Sequence, residues 1–172
     1  MVPRGTGRAR LDRMLRVLGI VIASALVLVP SAAVAEHIRG TPGPDEMVGT
    51  RGPDRLEGRG GADALRGRGG DDRVRGNAGD DWARGGFGDD AVRGATGRDL
   101  VIGGPGDDTL APGRGEDEVV GGPGHDRVLL QADGARDRVD CRAGADVVEY
   151  RAARDPRDVL VSCETVREDQ RP

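Results

Sequence analysis

From Gly40 to Leu129 the polar and apolar positions recur every nine residues, in ten blocks without insertion that begin at residues 40, 49, 58, 67, 76, 85, 94, 103, 112 and 121. The eighth place is apolar in every block: Met47, Leu56, Leu65, Val74, Ala83, Val92, Val101, Leu110, Val119 and Val128. The sixth is always Asp: Asp45, Asp54, Asp63, Asp72, Asp81, Asp90, Asp99, Asp108, Asp117 and Asp126. The fourth is always Gly: Gly43, Gly52, Gly61, Gly70, Gly79, Gly88, Gly97, Gly106, Gly115 and Gly124. First places are Gly except at Pro112. A Gly two residues ahead of each Asp marks a turn that a Cβ would obstruct. The three residues after the Asp hold one apolar place between two others, which predicts a very short strand with only its eighth-place side chain inward. A composition rich in Gly, Asp and Arg by itself suggests disorder. Disorder needs no phase, however, and three fixed places kept through ten units require an ordered, solenoid-like repeat.

The pattern resembles the RTX, or hemolysin-type, calcium-binding nonapeptide G-G-x-G-x-D-x-U-x, with U apolar. The match is fullest at Gly85 to Arg93, Gly103 to Ala111 and Gly121 to Leu129. The resemblance implies an all-β fold, a parallel β-roll in which two repeats form one 18-residue coil and odd and even repeats build opposite sheets, so that ten repeats make five coils. It also implies that each Ca²⁺ is held between one turn and the next but one, by the sixth-place Asp and turn carbonyls. The resulting pairs are Asp45 with Asp63, Asp54 with Asp72, Asp63 with Asp81, Asp72 with Asp90, Asp81 with Asp99, Asp90 with Asp108, Asp99 with Asp117, and Asp108 with Asp126.

Elementary chemistry points the same way. Carboxylates stacked about 4.8 Å apart repel unless a cation lies between them. Carboxylate and carbonyl oxygens on flexible turns suit calcium better than magnesium, which keeps its waters, or zinc, which takes imidazole and thiolate. The small eighth-place side chains bury too little apolar surface to offset chain entropy, so binding that favours the folded form makes folding conditional on the metal. The second place is Gly only at Gly86, Gly104, Gly113 and Gly122, and is Thr41, Thr50, Arg59, Arg68, Asn77 or Ala95 elsewhere. The tightest ions are therefore expected between Asp90 and Asp108 and between Asp108 and Asp126, and the weakest in the early turns.

The chain divides into three segments. Residues 1 to 35 read as a secretory signal: Arg4, Arg8, Arg10, Arg13 and Arg16, the apolar run Val17 to Val29, and Ala33-Val34-Ala35 before the cleavage point. The apolar run is short for a bilayer span of about 20 residues, which makes a retained anchor the lesser alternative. Residues 36 to 129 form the calcium-binding roll. Residues 130 to 172 contain two worn repeats, Ala132 to Asp140 and Cys141 to Glu149, then a segment expected to cap the open end. Cys141 and Cys163 fit a disulfide in an exported protein; the alternative, a reactive thiol pair, lacks the close C-x-x-C spacing.

All 26 basic residues are Arg, against 30 acids, and removal of the leader leaves about −8. An acidic chain is a poor nucleic-acid binder. His37 and His125 are the only histidines, and no nucleophile and base motif accompanies them, so an enzyme is not expected. Two outward faces could meet a partner. Arg55, Arg73, Arg75, Arg93 and Arg127 lie on the even sheet, where an acidic cell-surface polymer or a protein is conceivable, and Trp82, Leu100, Ile102 and Val120 lie on the odd sheet; the plainer reading of both is a solvated surface. The expected function is calcium binding by a secreted roll that folds on Ca²⁺, with an adhesive or structural surface module as the alternative.

Overall fold

The computed structural model describes residues 26–27 and 35–168, and within them the chain winds into a two-sheet parallel solenoid without helices. Strands are numbered in chain order. One sheet runs β1 (Leu26–Val27), β3 (Glu46–Val48), β5 (Ala64–Gly69), β7 (Trp82–Phe87), β9 (Leu100–Ile102), β11 (Glu118–Pro123), β13 (Arg138–Ala143) and β15 (Val159–Val161). The other runs β2 (His37–Arg39), β4 (Arg55–Gly60), β6 (Arg73–Ala78), β8 (Ala91–Thr96), β10 (Thr109–Arg114), β12 (Arg127–Leu130), β14 (Val147–Tyr150) and β16 (Thr165–Glu168). Successive strands alternate between the sheets, as expected for two repeats per coil.

The eighth places stack in register through each sheet. Met47, Leu65, Ala83, Val101, Val119 and Val139 form one column, and Ile38, Leu56, Val74, Val92, Leu110, Val128 and Val148 the other. All of these side chains are buried. The two columns face each other and form a core one side chain deep from each sheet.

Most strands are longer than the three residues the pattern predicts. Residues 64–69, for example, take in places seven to nine of one repeat and one to three of the next. The period of two explains the extension: sixth, eighth and first places all point inward, and the first-place Gly continues the alternation without adding a side chain. The interior therefore carries Asp, an apolar residue and a bare Gly in turn. This leaves an open corner beside each carboxylate.

The roll also continues past the tenth repeat. The two worn repeats enter it as β13 and β14, followed by β15 and β16, and their inward positions include the buried Leu130, Val139, Val148 and Tyr150. Cys141 stands at an inward first place that Gly holds elsewhere, and its sulfur bonds Cys163 with Cα atoms 5.2 Å apart. The disulfide ties β13 to the segment between β15 and β16. The predicted leader lies outside the described residues apart from Leu26, Val27 and Ala35; Leu26 and Val27 pair with Glu46 and Met47.

Second places from the third repeat onward turn with positive φ. Gly86 is at 138°, and Arg59, Arg68, Asn77 and Ala95 adopt 90°, 88°, 89° and 111°. A side chain in this region carries strain of about 1–2 kcal/mol, whereas Gly carries none but starts from a more mobile unfolded chain. Ala95→Gly is expected to raise stability by about 0.5–1 kcal/mol net, and Gly86→Ala to lower it by at least as much. Urea midpoints of the folded chain measure both.

Candidate metal centres

The sixth-place carboxylates form two ladders, one along each edge of the roll. In each rung the backbone N–H of one Asp donates to Oδ1 of the Asp one coil later: Asp63 to Asp81 at 2.9 Å, Asp72 to Asp90 at 2.7 Å, Asp90 to Asp108 at 2.8 Å and Asp108 to Asp126 at 3.0 Å. Asp45 donates to Asp63, Asp54 to Asp72, Asp81 to Asp99 and Asp99 to Asp117 in the same way. Each Asp thus stands against the partners that the 18-residue coil predicts.

Both ladders run beyond the aligned repeats. Asp117 donates to Asp137, Asp126 to Asp146, Asp137 to Asp158, and Asp146 to the carboxylate of Glu164. The extra residues of the worn repeats are absorbed between the rungs. Asp137 and Asp146 could be seen in the sequence two residues ahead of Val139 and Val148, but Asp158 and Glu164 fall out of phase and only the backbone path reveals them.

One oxygen of each rung is used by the backbone and the other is not. Oδ2 of Asp63, Asp72, Asp81, Asp90, Asp99, Asp108, Asp117, Asp126, Asp146 and Asp158 is buried without a hydrogen-bond partner. At Asp158 the hydroxyl of Tyr150 lies alongside. A buried, unpaired carboxylate oxygen costs several kcal/mol unless a proton or a cation meets it. Beside Asp63, Asp72, Asp99 and Asp126 a backbone carbonyl borders the same corner. A Cβ on Gly94 would sit 2.5 Å from the carbonyl of Pro112 and closer still to Oδ2 of Asp99, and a Cβ on Gly67 would meet the carbonyl of Gly85 and Oδ2 of Asp72 likewise. At Gly67 and Gly94 a side chain would fill that corner. Among the described residues no three His, Cys, Asp or Glu side chains gather as a conventional cluster. The donors are instead one or two carboxylates with backbone carbonyls from neighbouring coils. This all-oxygen set fits calcium.

The first two turns are built differently. The hydroxyl of Thr50 donates to Oδ2 of Asp54 at 3.0 Å and its N–H donates to the same oxygen; Thr41 does the same for Asp45, its hydroxyl at 3.1 Å. These carboxylates have their donors within the protein. Gly43 and Gly52 in these turns also lack the positive φ that the fourth-place Gly61, Gly70, Gly79, Gly88, Gly97, Gly106, Gly115 and Gly124 adopt.

A second row of acids escapes a search for invariant places because it varies. Fifth-place Asp71, Asp80, Asp89 and Asp107 are exposed, and each Oδ1 accepts the N–H of the fifth-place residue one coil later: Asp89, Arg98, Asp107 and His125. His125 itself accepts the N–H of Ala145 through Nδ1. It is part of the turn scaffold.

The match to the RTX calcium-binding nonapeptide repeat model falls in four copies, over residues 39–74, 66–101, 93–128 and 113–148. The chain belongs to this family. RTX nonapeptide repeats bind Ca²⁺, and the RTX β-roll is a structural calcium-binding fold. No curated protein matches this member.

Burial first, and neighbouring carboxylates second, make the ladder hard to ionise without a cation. Asp72, Asp108 and Asp117 are pushed up to about 7, and Asp81, Asp90, Asp99 and Asp126 to about 6. Groups whose folded-state pKa is raised stabilise the fold fully below their unfolded value, and lose that contribution as pH rises through the folded one. In chelator, strand content is therefore expected to fall as pH rises from about 5 to about 8, with the loss centred near the raised values. Saturating calcium should flatten this dependence in circular dichroism.

Proposed function

We propose that the chain is an exported calcium-binding protein whose roll folds as calcium fills the two carboxylate ladders. The observation that carries this reading is the row of buried Oδ2 atoms without partners. In this reading Asp63, Asp72, Asp81, Asp90, Asp99, Asp108, Asp117 and Asp126 hold the ions with carbonyls of the first-place residues and of the Gly turns. The calcium supplies positive charge that offsets the stacked carboxylates. The protein's own part is to hold one oxygen of each Asp by a backbone N–H, to present the other, and to exclude water with the apolar columns.

Asp45 and Asp54 end the ladders in turns whose threonines already satisfy Oδ2, so these two are assigned a structural share and little ion affinity. Asp146, by contrast, is added to the ligand set. Export is supported by the basic and apolar leader pattern and by the disulfide between Cys141 and Cys163, a bond that persists in oxidising compartments. Such compartments also carry the calcium levels that weak extracellular sites require. Among the described residues no helix is long and apolar enough to cross a membrane. His37 lies on an exposed strand and His125 is held in a turn, which supports a binding protein rather than an enzyme.

Residues 36 to 172, stripped of metal at neutral pH, are expected to gain strand signal on calcium titration and far less with magnesium. A chain fully folded in chelator at that pH would refute the proposal. Asp108→Asn should remove the two sites that Asp108 borders and weaken the cooperativity of the transition, whereas Asp54→Asn should leave calcium stoichiometry nearly unchanged. Equilibrium dialysis on both variants separates the two kinds of turn.

A further inference from the structure

The outward charge of the roll differs in sign from its total. Residues 36 to 168 hold 20 Arg and 28 acids, yet fourteen of those acids are the buried Asp residues, leaving fourteen acids beside the 20 Arg. Once the buried carboxylates are neutralised, the accessible surface is cationic. The excess is concentrated on the early coils, and the two sheet faces differ. On the even sheet Arg73, Arg75 and Arg93 line a groove with Glu57, which already pairs with Arg39 and Arg55, while Arg127 is engaged by Glu149. The odd face has a groove of about 550 Å³ lined by Arg51, Arg66, Arg68, Arg84 and Phe87, with no carboxylate.

None of those four guanidiniums forms an ion pair among the described residues. Arg66 and Arg84 are direct register partners on adjacent strands, so like charges stand one rung apart with nothing between them. The guanidinium carbon of Arg66 lies over the Trp82 ring, 4.7 Å from its centre, a contact that restrains the side chain beside the groove. Phe87, 70% exposed, adds an apolar edge at the groove. Arranged guanidiniums recognise carboxylate and sulfate oxygens by paired hydrogen bonds.

We propose that this groove on β5 and β7 binds a linear anionic polysaccharide, laid across the rungs so that successive acidic groups meet successive arginines. A nucleic acid is the poorer occupant, because one exposed Phe and a Trp already covered by Arg66 give no series of stacking platforms. The proposal rests on the calcium reading only for the folding that brings these arginines together.

The test uses heparin as the probe, at constant ionic strength, with circular dichroism recorded on the same samples. Calcium-loaded wild type should bind it, and the triple variant R66Q/R68Q/R84Q should lose at least tenfold in affinity while keeping its calcium-induced strand signal. R98Q/R127Q/R138Q removes the same number of charges from ion-paired positions and should stay within about twofold. Equal losses in the two variants would reduce the effect to net charge and overturn the groove, as would equal affinity for single-stranded DNA. A wild-type chain that folds with calcium but ignores heparin overturns the groove alone; one whose strand signal ignores calcium overturns the calcium reading.

Discussion

Everything in this roll is arranged around a carboxylate oxygen that has been buried and left without a proton donor. The coil repeat places the sixth-place Asp of each turn directly over its counterpart, and the backbone N–H of the earlier Asp takes one oxygen of the later one. The second oxygen is then buried without a hydrogen-bond partner, in several turns beside a backbone carbonyl from the next coil. In most proteins a short hydroxyl or amide would close such a gap. Here the gap recurs along both edges, beside a glycine at nearly every first place.

The ends of the ladders show what the alternative looks like. At the first two turns Thr41 and Thr50 supply hydroxyl and backbone donors to Asp45 and Asp54, and at the last odd rung the buried Tyr150 hydroxyl lies beside Asp158. The Cys141–Cys163 bridge further restrains the C-terminal coils. The first two turns are closed by the protein's own donors, whereas most rungs that follow, Asp158 at the far end included, leave Oδ2 without one.

The sequence displayed the architecture because the three invariant places follow from geometry. Inward alternation puts Asp, an apolar residue and Gly on successive inward positions, and any slip of phase would turn the carboxylates outward. It was less informative where side chains substitute for one another. The six-residue strands were hidden because a first-place Gly reads as a breaker, although inside a roll it is an inward strand residue. The fifth-place hydrogen bonds were missed because Asp71, Asp80, Asp89 and Asp107 alternate with Pro, Ala, Arg, Glu and His along the chain. The different chemistry of the first two turns showed in the sequence as Thr41 and Thr50 at the second place, but the hydrogen bonds of their hydroxyls to Asp45 and Asp54 depend on the path of the backbone.

The same geometry sorts the charges. Inward places are closed to Arg by size and by the cost of burying a guanidinium beside so few partners, so among the described residues no Arg is buried, while the Asp set by the repeat is drawn inside. A chain that is acidic in composition thereby acquires an arginine-bearing exterior when it coils. Until the ladder carboxylates are neutralised, they offset that exterior at long range; afterwards the arginines set the field that a neighbouring molecule meets. Rows of Arg repeated at the strand spacing are costly to an isolated domain, since like charges stand in direct register at Arg66 and Arg84 and again at Arg75 and Arg93. That cost adds to the one imposed by the carboxylates inside, and the two call for opposite charges: cations at the turns inside, anions over the arginines outside.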